Sequence, residues 1–138
     1  MSLKAAKIQR INAMSENTLN IDEQIEIIDK DLEVLEWNIK RGEALDKLMK
    51  MEEFHLVMIE GYLEIESQRV FNLLTHPLTI KPEDKNSYLS QLDTIKNLSR
   101  YLGSPEYKGV VKISAANAVK DREELLRQKQ ELLAGKGE

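Results

Sequence analysis

The 138-residue chain contains no cysteine, which excludes a disulfide scaffold and any Cys-ligated zinc or iron–sulfur site. Proline is scarce, with three residues, and so is glycine, with six. Few positions therefore break a helix. Aromatic residues make up 5% of the chain, with a single Trp and two Phe. That is little for a β-sandwich or barrel core. There are only two histidines, so acid–base chemistry through His has few candidates. No run approaches the roughly 20 apolar residues of a membrane span. The N-terminus shows no apolar stretch of signal-peptide length. A reducing setting follows as the expectation.

Charge is abundant. Asp, Glu, Lys and Arg form 32% of the residues, and the formal net charge is −4. It is distributed unevenly. Residues 21–66 carry fourteen acidic and five basic side chains, and residues 67–138 carry nine acidic and twelve basic. An acidic first half and a basic second half can attract each other within one fold. The net-acidic total and the lack of a basic stripe argue against a nucleic-acid surface.

The organising stretch is Ile21, Ile25, Ile28, Leu32, Leu35, Ile39 and Gly42. These steps alternate four and three, a heptad seam. At about 100° per residue the positions share one side of a helix. Asn20 followed by Glu23 predicts a capping box, with Asn in place of Ser or Thr. Gly42 marks either a break or a close helix contact. Asp22, Glu26, Asp29, Glu33 and Glu36 form an acidic strip beside the seam. Ile27, Val34 and Trp37 lie on roughly the opposite face, and they form either a second intrachain packing face or a partner surface.

Residues 1–19 hold Lys4, Lys7 and Arg10 among Leu3, Ile8 and Ile11, and read as a flexible basic arm. A single helical domain is expected over 20–134, with a frayed tail at 135–138. Met51 to Thr75 reads as a second long helix, apolar on two faces and expected to be the most buried of all. Gly61 within it suggests close packing against a neighbour. Pro82, Glu83 and Asp84 open a third helix that ends before Gly103. A fourth is expected to start at Ser104 or Pro105 and to run from about Glu106 to Ala134. It carries Val111, Ala115, Ala118, Arg122, Leu125, Lys129 and Leu132 in the same four-three rhythm, with Val119, Leu126 and Leu133 widening the stripe.

The resulting expectation is an all-α bundle whose long N- and C-terminal helices pair antiparallel, in the manner of a coiled coil. Arg122 and Lys129 interrupt an otherwise apolar seam. Antiparallel packing places their heads near the acidic strip, with Glu33 and Glu36 as the expected partners.

No P-loop, dinucleotide fingerprint, EF-hand loop or H-E-x-x-H motif is present. Glu52-x-x-His55 occurs once, whereas a diiron bundle needs two copies. His55 therefore reads as a solvated surface group, and His76 before Pro77 as part of a helix stop. No catalytic residue, metal site or cofactor site is expected, and the chain reads as a non-enzymatic protein that binds other proteins, itself among them.

The run Arg41-Gly42-Glu43-Ala44-Leu45, then Phe54, then Gly61-Tyr62, resembles small all-helical proteins of tailed bacteriophages. The resemblance covers roughly residues 35–102. Those proteins tend to have Asn-Pro before the Phe position, where this chain has Met51-Glu52-Glu53. The resemblance implies a phage structural or assembly role through helix-mediated contacts, in the virion or the host cytoplasm, and lends no site residue. Two other readings stay open: a module that engages a basic host protein through the acidic helix, and a nucleic-acid binder.

Overall fold

The computed structural model describes residues 19–76, 81–104 and 108–136. The expected basic arm thus lies outside the described residues except for Leu19. The protein is all-α, and no strand occurs among the described residues. Helix α1 is Ile21–Met49, α2 is the short Glu52–Phe54, and a π-helical segment follows at His55–Glu66. Helix α3 is Ser67–Leu74, α4 is Pro82–Leu102 and α5 is Val110–Lys136. The chain divides into two compact units, Met1–Trp37 with Ala118–Glu138, and Asn38–Asn117.

The start of α1 follows its sequence. The Glu23 amide donates to Asn20 Oδ1 at 2.8 Å, and Asn20 Nδ2 donates to Glu23 Oε1 at 3.1 Å. The first bond satisfies one open amide of the helix start, and the second ties the two side chains together. Asp22 and Glu23 add negative charge at the positive end of the helix dipole.

Within the first unit, α1 and α5 lie side by side. Ile28 and Leu35 of α1 are buried, as are Ala118 and Leu125 of α5. Lys129 meets Asp29, and Arg122 meets Glu36. Moving up seven residues on α1 means moving down seven on α5, so the helices are antiparallel and in heptad register. Val119, Leu126 and Leu133 do not join the packed stripe, because they are 38%, 43% and 49% exposed. Each follows a seam residue by one position, and about 100° of rotation carries it off the seam.

The second unit has its own core. Leu45, Leu102 and Val111 are buried together, with Met49, Phe54, Ile59, Leu63 and Leu98 packed against them. The α1–α5 pairing is antiparallel here too, since Lys112 reaches Asp46 at 3.4 Å and Gly42 faces Ala115. A Cβ on Gly42 would sit 2.5 Å from the Ala115 Cβ. Of the two expectations for Gly42, the close contact is the one realised, and α1 continues unbroken past it to Met49. Between α4 and α5, Gly103 takes a φ of 91°, which L side chains rarely adopt. Gly109 approaches so closely that a Cβ on it would lie 2.3 Å from the Gly103 nitrogen.

The second helix departs from expectation. It is not the most buried. Leu56, Val57 and Ile65 are 66%, 64% and 67% exposed, and of its residues only Val70 is fully buried. The cause is its register. In a π segment amides bond five residues back, which widens the turn to about 4.4 residues. Phe54, Ile59 and Leu63 then share the inward face, although α-helical spacing splits them over two. Gly61 is not pressed against a neighbouring helix either. A Cβ there would meet the Leu56 carbonyl oxygen of its own segment, at 2.8 Å.

The break before this helix needs no proline. Lys50 and Met51 amides turn back to the Lys47 and Leu48 carbonyls at 3.2 and 3.0 Å, and Met51 is extended. At the far end, α5 starts at Val110 rather than near Glu106, and Ser104 lies in the connection between helices. Residues 105–107 lie outside the described residues.

Neighbouring leucines on α5 have opposite environments. Leu125→Ala should cost about 2–5 kcal/mol of unfolding free energy, as buried leucine truncations do. Leu126→Ala, at an exposed position, should stay within about 0.5 kcal/mol of wild type. Urea melts of the two variants check this, and equal midpoints would show that the seam is misplaced.

Candidate interaction surfaces

The two seam cations of α5 determine the electrostatics of the first unit. Arg122 Nη1 donates to Glu36 Oε1 at 3.1 Å, and Lys129 Nζ donates to Asp29 Oδ1 at 2.7 Å. The cation side chains are 33% and 30% exposed, their partners 47% and 48%. Stems thus lie along the packed surface while the heads reach the rim. Of the two expected partners, Glu36 is engaged, and Asp29 stands in the place of Glu33. The reason is periodicity. Asp29 and Glu36 are one heptad apart, as are Arg122 and Lys129, whereas Glu33 lies three residues short of Glu36 and points further outward, where it is exposed. That matched spacing was visible in the sequence.

On the outer side of α1, Val34 is 48% and Trp37 59% exposed, and Ile27 is half-buried. The only Trp of the chain therefore sits outside the core.

The second unit holds an open groove of about 550 Å³ between the π segment with α3 on one side and α4 on the other. Leu63, Phe71, Leu92 and Ile95 give it an apolar floor, and Gln68 and Lys96 give it polar edges. Sequence reasoning missed this groove, because its Leu63 end lies in the π segment, where the α-helical period does not hold. Near it, the exposed Glu66 takes a bidentate hydrogen bond from Arg69, which holds the Glu66 carboxyl below its ordinary pKa. Elsewhere in this unit Arg41 lies over the Tyr101 ring, 5.6 Å from its centre, and donates to Asn38 Oδ1 at 3.0 Å.

His55 has a structural task rather than a fully solvated one. It is half-buried, and its Nε2 lies 2.5 Å from the Met49 carbonyl oxygen. A donated hydrogen bond there satisfies one of the open carbonyls at the end of α1. Among the described residues, no group of three or more His, Cys, Asp or Glu side chains could hold a metal ion. No described helix is long and apolar enough to cross a membrane.

No family model, no curated protein and no solved structure matches the chain. What can be said of its role rests on its own surfaces.

The two ion pairs can be weighed by charge reversal. Glu36→Lys and Arg122→Glu should each destabilise the first unit, and together should recover part of the loss. At this exposure the coupling should be about 0.2–1 kcal/mol, and smaller in high salt. Denaturant melts of the four-member cycle read it directly, and strictly additive effects would mean that the two groups do not interact in solution.

Proposed function

We propose that this chain is a non-enzymatic protein that works through helix-mediated contacts with other proteins, in a bacteriophage structural or assembly role. The observation that carries the contact reading is the placement of Trp37 and Val34, large apolar side chains exposed on the outer face of a well-formed helix. Exposing such groups leaves hydrophobic free energy unrealised, roughly 1.5–3 kcal/mol for each that a partner could fully bury. Trp is also the residue most enriched among energetically dominant interface positions. The phage setting comes from the resemblance of residues 35–102 alone.

A host-protein modulator is the second reading, favoured by the acidic strip of α1, which would draw a basic partner. Recovery of the chain in purified particles would support the phage role, and stoichiometric capture of one host protein would support the modulator.

The contact reading is tested at Trp37. Trp37→Ala should lower the mass of the assembly seen by size-exclusion light scattering, with helicity by circular dichroism unchanged. A monomeric wild type, or an assembly of unchanged mass, would remove the Trp37 face from self-association.

A further inference from the structure

A second exposed apolar stripe lies in the first unit, away from the Trp37 face. Val119, Leu126 and Leu133 recur every seven residues along α5, each directly after a seam residue. Asp29 and Glu36 hold the equivalent position on α1, each directly after buried Ile28 or Leu35. In an antiparallel pair, equivalent flanking positions share one edge. The ion pairs agree, since Lys129 and Arg122 lean toward that edge to reach Asp29 and Glu36.

The edge therefore has two unlike walls. On α5 it is apolar, at Val119, Leu126 and Leu133. On α1 it is acidic, where Asp22, Glu26 and Glu33 stand exposed beside Asp29 and Glu36. Arg122 and Lys129 offset two of these charges, and Lys30 pairs with Glu26 at 3.4 Å from the outer side. Among the described residues of this edge, the acidic side chains outnumber the basic ones. A further helix laid along the edge would meet a heptad-spaced apolar seam on one flank and negative potential on the other.

We infer that this edge docks an amphipathic helix of a partner protein, with apolar residues at heptad spacing and Lys or Arg beside them. This gives a partner chemistry to the contact role proposed above and rests on that reading, but it concerns a different face. Two features select the occupant. The apolar spacing matches a helix and not an extended strand, whose side chains alternate every two residues. The charge excess selects a basic helix and penalises an acidic one.

The test uses the full chain and three synthetic helical peptides of roughly three heptads. One carries a Leu seam flanked by Lys, the second the same seam flanked by Glu, and the third the residues of the first in scrambled order. Fluorescence anisotropy should show binding of the Lys-flanked peptide, weakening with added salt, and about tenfold or more weaker binding of the other two. Leu126→Asp should abolish binding while circular dichroism stays helical, and Leu133→Asp serves the same purpose should Leu126→Asp unfold. Glu26→Lys with Glu33→Lys should weaken it. Trp37→Ala should leave it unchanged, which separates this edge from the Trp37 face. Equal binding of the Glu-flanked or scrambled peptide would overturn the inference, as would no binding at all. So would a fall in light-scattering mass on Leu126→Asp, because the occupant would then be a second copy of the chain.

Discussion

The antiparallel pairing of α1 with α5 is the constraint on which the rest depends. Both helices repeat apolar residues in four-three steps, and the pairing is the arrangement that buries both seams at once. It also determines where two cations can go. Arg122 and Lys129 occupy seam positions, where an unpaired charge would be costly. They are tolerated because Asp29 and Glu36 recur with the same seven-residue spacing on the facing helix. A shift of one seam step would separate these groups, so the ion pairs act more on register than on net stability. In the second unit the small pair Gly42 and Ala115 has a related effect, since larger side chains there would hold the helices apart.

Much of this was legible in the chain itself. The heptads, the Asn20 N-cap and Pro82 at the start of α4 all follow from local rules, and each is found where expected. The second helix was not legible, for a definite reason. Periodicity arguments assume 3.6 residues per turn, and the π segment His55–Glu66 does not keep that period. Its inward residues, and with them the groove beside Phe71, fall out of phase with any α-helical reading. Val119, Leu126 and Leu133 were misread differently. Apolar residues at heptad spacing resemble core, yet one position of offset is enough to turn them outward.

These departures bear on function more than the agreements do. Val34 and Trp37, the α5 stripe and the groove beside Phe71 are places where apolar side chains stand exposed among the described residues. The first two are separate faces of the first unit, and the groove belongs to the second. The acidic side of α1 adds selectivity, because it favours basic helices over acidic ones at the edge it lines.

The ion pairs across the seam report on register directly. Zero-length carbodiimide coupling should join Lys129 to Asp29 and Lys112 to Asp46 within one chain, since each ammonium lies against its carboxylate, at 2.7 and 3.4 Å. Peptide mapping by mass spectrometry reads the linked residues. Coupling of Lys129 to Asp46 and of Lys112 to Asp29 in their place would contradict the antiparallel heptad register and everything built on it.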